Sequence, residues 1–496
     1  METTTHADGR VELREPEQLR DSPLYNEDLA PVAVAKRTWS TWDYAALWIS
    51  MAHCIPTYQM ASSMIENGMS WWQALGTIAL GNIIVLAPIL LNSHPGTKYG
   101  IPFPVFARAA YGTVGSNLPA LMRALIACGW FGINAWIGGH ALQTFLTSLW
   151  PGWAELLGWF GGFPWNDWPE AQWFPATQWI SFALFWGLNI LIIYRGMELV
   201  RRLERFAAPF VLVMTALLLA WAIYAADGLG PIMAESGLPA GEFFAKFIPA
   251  LTATIGFWST LSLNMPDFTR YGRSQREQVV GQVVALPSTM TVFAAMGIII
   301  TSATVIIFKV DKPISDPIAL GGMLGSRAVI GVAMFTIVVA TLAVNIAANV
   351  VSPANDFANA FPGKINFARG GLITGVIGIL MMPWELLANA DRYINGWLVG
   401  YSGALGSVAG VLIVDYWVLR KTELDLRSLY VADGAYRYER GWNMAAVYAT
   451  LAGAGVALLG AFWSPMRPIY DWSWFVGFGL AGGVYWLLMR GRVHPR

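Results

Sequence analysis

Charge is scarce in this chain. Of its 496 residues only 12% are Asp, Glu, Lys or Arg, while 56% are hydrophobic. Soluble domains carry about 25% charge, so a water-facing globule is excluded and the chain reads as an integral membrane protein. The 31 basic and 31 acidic residues cancel, which removes the basic footprint expected of nucleic-acid binding. There are only two cysteines, Cys54 and Cys128, both in apolar stretches. They argue against a disulfide framework. No HExxH, GxSxG or phosphate-binding glycine loop occurs. No nucleophile, metal cluster or paired carboxylates stand inside the apolar stretches, so no cofactor is expected and a membrane-embedded enzyme is disfavoured. An apolar core near the start is also missing, so no cleavable signal peptide is expected. Residues 1–40 read as a mobile cytoplasmic tail.

What the chain does have is apolar length. A spanning helix needs roughly 20 apolar residues. Twelve stretches qualify: about 42–66, 71–92, 118–149, 176–196, 203–226, 244–264, 280–308, 327–358, 370–388, 393–418, 443–463 and 471–489. With an even count both termini share a side, and alternate loops then place 25 of the 31 Lys and Arg residues on it. The positive-inside rule makes that side the cytoplasm. The expectation is an all-α, multi-pass protein of the plasma (inner) membrane, with a single domain over 41–490 and a short C-terminal tail at 491–496. The lipid bilayer is its main partner, and a monomer is expected. The loop 150–175, rich in Trp, Gly and Pro, should lie at the outer interface, where indoles gather. The loop 420–441 is charged and Tyr-rich and reads as an ordered surface element. Gly403, Gly406, Gly410, Gly479, Gly482 and Gly483 should let helices pack closely.

Two of the stretches are interrupted. The first runs Ser50-Met51-Ala52-His53-Cys54-Ile55-Pro56, and proline removes a backbone donor and clashes with the preceding turn. The sixth runs Ile255-Gly256-Phe257-Trp258-Ser259. Broken backbone survives in a bilayer only where it lines a cavity or is buried in protein. A pair of breaks, one in each half, points to a transporter's binding site. Their positions, first and sixth, suggest two five-helix repeats of opposite orientation (about 42–226 and 244–418) followed by two extra helices (443–489).

The polar and aromatic residues at these places are the candidates. Trp130 and Asn134 are four apart on one face of the third span. A ring plane beside an amide suits a flat heterocycle with amide-like edges, although packing alone would also explain both. Trp258 either stacks on a ligand or fills the gap at the break. Asn345 and Asn349 share a face of the eighth span, as ligand contacts or as interhelical glue. His53 is titratable near neutral pH, or it is neutral and bonded to a freed carbonyl. His140 should lie toward the outer interface. Asp267 reads as a cytoplasmic-end residue that pairs with Arg270 or caps the helix end.

Several runs together resemble the nucleobase:cation symporter-1 family over residues 20–490. They are Tyr25-Asn26-Glu27-Asp28-Leu29-Ala30-Pro31, Asn92-Ser93-His94-Pro95-Gly96-Thr97-Lys98-Tyr99-Gly100, Gly129-Trp130-Phe131-Gly132, Pro266-Asp267-Phe268-Thr269-Arg270, Asn345-Ile346-Ala347-Ala348-Asn349-Val350-Val351-Ser352-Pro353 and Trp472-Ser473-Trp474-Phe475-Val476-Gly477. Within the family the chain is most similar to bacterial allantoin permeases, and it also resembles the hydantoin transporter. The resemblance implies a LeuT-like 5+5 inverted repeat plus two C-terminal helices. It also implies a cation symporter that imports a planar ureide, hydantoin or nucleobase by alternating access, best read as allantoin. Transport of uracil, nucleosides or thiamine-precursor pyrimidines is the alternative within the family, and a passive channel the alternative outside it. By the resemblance Trp130 and Trp258 flank the ring, Asn349 hydrogen-bonds it, and Asn134 stands where relatives often carry Gln. Gly256 and Phe257 belong to the same site. Cys54 stands where relatives carry Gln or Asn. In sodium-coupled relatives two hydroxyls of the eighth span bind the metal. Here those positions are Ala343 and Val344, with the carbonyls of Ser50, His53 and Ala340 beside them. The sodium site therefore reads as degenerate, and a proton is favoured as the co-transported cation, with His53 its carrier and Asp267 the next choice.

Overall fold

The structure is a computed structural model that describes residues 3–160, 174–234, 236–387 and 397–493. Its helices, in chain order, are α1 Thr41–Ala52, α2 Ile55–Glu66, α3 Trp71–Tyr99, α4 Phe103–Tyr111, α5 Asn117–Leu149, α6 Ala176–Tyr194, α7 Met197–Ala225, α8 Ala240–Phe257, α9 Leu261–Asn264 and α10 Pro266–Thr269. They continue with α11 Gln275–Phe308, α12 Pro317–Gly322, α13 Arg327–Asn349, α14 Val351–Ala360, α15 Phe367–Leu380, α16 Pro383–Leu387, α17 Val399–Ile413, α18 Met444–Phe462, α19 Arg467–Asp471 and α20 Ser473–Met489. Among the described residues eight helices are long and apolar enough to cross a membrane, or nine if the bent pair ending in α20 counts as one span. The broken first and sixth stretches and the shorter apolar helix α15 occupy the remaining expected positions. Residues 161–173, most of the loop 150–175, and the start of the tenth stretch up to 396 lie outside the described residues.

Local chemistry sets the helix ends. Ser40 and Asp43 form a reciprocal cap at the start of α1, and Ser70 with Gln73 does the same for α3, satisfying donors that have no partner within the helix. Helix α3 stops at Gly100, whose φ of 70° closes the last turn.

Three spans lose their helical ladder midway. In the first, α1 ends at Ala52, Cys54 is extended, and α2 restarts with Pro56 in its first turn. In the sixth, α8 ends at Phe257, and Trp258–Thr260 form turns before α9. Gly256 therefore lies inside the helix and not in the break. Its Cβ position is blocked by the Leu398 carbonyl and the Ser402 side chain of the tenth span, so the glycine permits a close helix crossing. The third interruption was read as continuous helix: Val350 separates α13 from α14. Pro353 lacks the donor that would reach the carbonyl of Asn349 and crowds it, which accounts for the interruption.

The segment expected to be a mobile tail is instead docked. Leu19 and Leu29 are fully buried. Arg37, also buried, donates to the carbonyls of Val32 (2.8 Å), Thr97 (3.0 Å) and Val11 (2.8 Å). Burial pulls its guanidinium down to about 10, so it stays charged at neutral pH. Asn26 donates to the carbonyls of Pro362 and Ile365, past the end of α14. Tyr430 of the 420–441 loop donates to Leu29 O at 2.7 Å. The N-terminal segment and that loop thus close the same end of the bundle.

The small-residue reading holds for some glycines and fails for others. Gly410 meets the Phe478 backbone, while Gly403 and Gly406 meet the Ser473 and Trp474 backbone, so α17 and α20 touch main chain to main chain. Gly479 and Gly483 have nothing near their Cβ positions and take no part in this packing. Gly410→Val should therefore cost about 1–3 kcal/mol through overpacking. Gly479→Val should stay within about 0.5 kcal/mol. Thermal unfolding of the two variants in detergent checks the contrast.

Candidate functional site

The sixth and eighth of the interrupted spans reach α5, and the first joins them through a ring contact with the sixth. There Trp130 lies 5.3 Å, edge to face, from Phe257 in the last turn of α8. Phe257 stands perpendicular to Trp258 at 4.8 Å, and Trp258 to Trp48 of α1 at 5.2 Å. Four rings from three spans thus form a chain of edge-to-face contacts, the arrangement that ring quadrupoles favour. Trp130 Nε1 donates to the Tyr401 hydroxyl at 3.1 Å, and that hydroxyl donates to the Gly256 carbonyl at 3.0 Å. A single phenol therefore fixes the tilt of Trp130 and ties it to the end of α8.

Polar groups border the rings. Asn134 Nδ2 donates to the Trp130 carbonyl one turn back at 3.1 Å, and its Oδ1 has no partner. Asn349 Nδ2 donates to Asn345 Oδ1 at 3.1 Å. Asn345 donates in turn to Asn189 Oδ1 (3.2 Å) and to Phe131 O (3.4 Å). The two asparagines divide the alternatives open in the sequence: Asn345 joins three spans, and Asn349 stands at the end of α13 held only through Asn345. The Trp258 indole N–H is buried without a partner. The site thus offers ring faces, one free amide carbonyl and two free indole donors, on Trp258 and Trp48.

Other expected residues are turned elsewhere. Cys54 Sγ lies 3.2 Å from Thr57 Oγ1 in its own turn, and Thr57 in turn contacts Met290 of α11. His53 Nδ1 donates to the Ile49 carbonyl at 2.6 Å, and its ring packs against Phe293 at 4.5 Å. Its Nε2 has no partner. The imidazole therefore takes a carbonyl left over at the end of α1. Ala340, Ala343 and Val344 are buried on α13 and bring no side-chain oxygen. Ser50 Oγ donates to the Glu204 backbone carbonyl at 3.3 Å. Asp267 is fully buried, and its Oδ1 accepts from Phe103 N at 3.0 Å, so it caps α4. Its expected partner Arg270 donates instead to Asp28 O and the Tyr271 hydroxyl.

Three functional side chains were not singled out from the sequence. Tyr401 and Trp48 are single aromatics among many, and nothing in their local sequence marks them. Glu204 did carry a signal, since an acid near an apolar run is a site by default. It is buried in α7, and both its carboxyl oxygens lack partners.

Residues 31–477 match the family described as permease for cytosine/purines, uracil, thiamine and allantoin. The allantoin permease of Bacillus subtilis is 40% identical over 487 residues, covering 98% of this chain and 96% of that protein. The purine-uracil permease NCS1 of Arabidopsis thaliana is also 40% identical, over 95% of this chain and 78% of its own length. Among solved structures, the nucleobase-cation-symport-1 transporter Mhp1 in a closed conformation with bromovinylhydantoin bound has a TM-score of 0.77, at 24% identity, over 94% of this chain and 96% of that one. The inward-facing form of Mhp1 scores 0.73 over 95% of each chain. MhsT in complex with L-phenylalanine has a TM-score of 0.54, at 17% identity, over 90% of this chain and 97% of that one, and shares the fold. These likenesses place the chain among multi-pass membrane transporters and not among enzymes, and it belongs to the nucleobase:cation symporter-1 family of permeases.

Proposed function

We propose that this permease is a secondary active importer of a neutral planar ureide, with allantoin the best candidate. The observation that carries the reading is the ring of Trp130, held by Tyr401 beside Phe257 and Trp258, with the free Oδ1 of Asn134 next to it. A flat ring stacks there and offers an N–H to that oxygen. Asn349, which a single bond ties to Asn345, meets the polar edge of the ring. The likeness to the Bacillus allantoin permease favours a ureide over the uracil that other family members are named for. The protein acts in the plasma membrane as a monomer, with both termini and the Arg-rich end in the cytoplasm. Spans one, two, six and seven rock against three, four, eight and nine to expose the site to each side in turn.

The co-transported cation is proposed to be a proton. Sodium prefers oxygen ligands, and Ala343 and Val344 offer none from their side chains. His53, at the α1 break with a free Nε2, is the titratable carrier.

Trp130→Ala removes stacking worth about 1–3 kcal/mol on the analogy of base–aromatic stacking. Allantoin affinity should drop roughly 5- to 200-fold, with Trp258→Ala moving the same way, by isothermal titration against a panel of ureides, hydantoins and pyrimidines. Wild-type affinity in both variants would place the site elsewhere.

Tyr401→Phe keeps the ring but removes both hydrogen bonds that fix Trp130. At about 0.5–1.5 kcal/mol for each of the two bonds, a loss of roughly 5- to 150-fold is expected. Asn349→Ala should abolish uptake in protein that still reaches the membrane.

For the ion, uptake should collapse with a protonophore, fall as external pH rises, and be indifferent to replacing sodium by choline. His53→Ala should lose accumulation against a gradient more than exchange. Strong stimulation by sodium at fixed pH and membrane potential would refute proton coupling.

A further inference from the structure

The aromatic site leaves a second set of buried polar groups unused, one level closer to the Arg-rich end. Along α13 and α14, Asn345, Asn349, Ser352 and Asp356 stand at intervals of four, three and four, which is one helical face. Along α5, Arg123, Trp130 and Asn134 stand at intervals of seven and four, again one face. The pairs Phe131–Asn345 and Arg123–Asp356 meet in opposite sequence order, so the two helices run antiparallel. Seven residues below Trp130 and seven beyond Asn349, about 10 Å along each helix, Arg123 faces Asp356. The ring site and this lower level therefore lie one beyond the other along the same pair of spans.

At that level Arg123, Asn264, Asp267, Ser352 and Asp356 are all fully buried. Arg123 Nη1 lies 3.8 Å from Asp356 Oδ2, beyond hydrogen-bonding range. Its Nη2 donates to the Ala348 carbonyl at 3.0 Å. Asn264 Nδ2 donates to Ser352 Oγ. Six polar atoms have no partner: Arg123 Nε and Nη1, both oxygens of Asp356, Asp267 Oδ2 and Asn264 Oδ1. Nearly all buried polar groups in native proteins are paired, so six at one place that lack a hydrogen-bond partner within the protein form a built polar site. Two arginines stand against two aspartates: Arg123 lies within electrostatic reach of Asp356 and Asp267, and Arg270 within reach of Asp267. Arg108, also buried at this end, is turned away onto Asn359 and the carbonyls of Leu24 and Leu429.

We propose that this cluster is a second, inner station for the transported compound, entered after it leaves the rings and before it exits at the Arg-rich end. The balanced charge selects a neutral ligand, and the mixture of free donors and acceptors selects one that carries both. A ureide fits: its carbonyl accepts from Arg123, and its N–H groups donate to Asp356 and Asp267. In this structure the station is shut. Arg123 is clipped to Ala348, next to Asn349, and Asn264 ties the end of the sixth span to α14. Entry requires both contacts to part. The inference rests on the importer reading above.

The test uses the full-length protein in proteoliposomes with radiolabelled allantoin. Asp356→Asn and Arg123→Gln should leave equilibrium binding at the ring site within about twofold of wild type. They should raise the KM for transport begun from the Arg-rich side by roughly 5- to 200-fold, the effect of losing hydrogen bonds to a buried ligand, and lower kcat for uptake. A second measurement does not depend on these variants. Ser352→Cys, with Cys54 and Cys128 changed to Ala, is labelled by a maleimide from that side. Allantoin should slow the labelling even when Trp130→Ala has weakened the ring site. Wild-type KM from both sides, or labelling that allantoin does not slow, would mean that only water fills the cluster, and the proposal falls. A wild-type protein that binds no ureide overturns the importer reading as well. Binding at the rings without an inner effect overturns the inner station alone.

Discussion

The bilayer's refusal to hydrogen-bond backbone is the constraint on which this structure turns. A helix crossing hydrocarbon satisfies its own main chain, so any break must find partners in protein. This chain breaks three spans and supplies each break locally. The His53 imidazole takes the Ile49 carbonyl. The Tyr401 hydroxyl takes the Gly256 carbonyl. Asn345 and Asn349, at the end of α13, bond to each other and to α5 and α6 through Phe131 and Asn189. The sixth and eighth breaks are therefore held beside α5 and the first beside α11, and the rings that a ligand would use lie among the partners of the sixth. Site and scaffold share one set of interactions.

In the proposed transport cycle the rings also link the site to the spans that rock. Trp48, Trp258, Phe257 and Trp130 belong to three spans and touch edge to face in sequence. Each such pair is worth about 0.5–1.5 kcal/mol beyond burial and depends on mutual angle. A few degrees of rotation of α1 or α8 against α5 changes the angles, and a stacked ligand changes them as well. Ligand binding and helix position are coupled through ring geometry, with no need for a separate relay.

Much of this was legible in the sequence. Stretch length and the one-sided distribution of Lys and Arg gave the spans, Pro56 marked the first break, and Trp130 with Asn134 showed their shared face by spacing alone. What could not be read depended on distant partners. Tyr401 acts on Trp130 across 271 positions, and Arg123 meets Asp356 only once α5 and α14 lie side by side. Asp267 seemed paired with Arg270 three residues on, yet the fold gives it the Phe103 amide 164 positions away. The interruption at Val350 was readable, since Pro353 announces it, but the apolar run around it looked continuous. The first 40 residues misled through composition: their polarity hides a few buried anchors, Leu19, Leu29 and Arg37, which dock the segment.

That docked segment has a consequence in the language of mass action. Its contacts at the Arg-rich end, Asn26 on Pro362 and Ile365, Asp28 on Arg270 and Phe367, and Leu29 under Tyr430, join it to α10, to the chain beyond α14 and to the 420–441 loop. The first forty residues are in effect a ligand that the transporter carries for itself. Tethering gives such a ligand an effective concentration on the order of millimolar, whatever the abundance of the protein in the cell. Closure at that end is therefore a zero-order property of each molecule, and a soluble competitor for the same groove would need comparable concentrations to displace it.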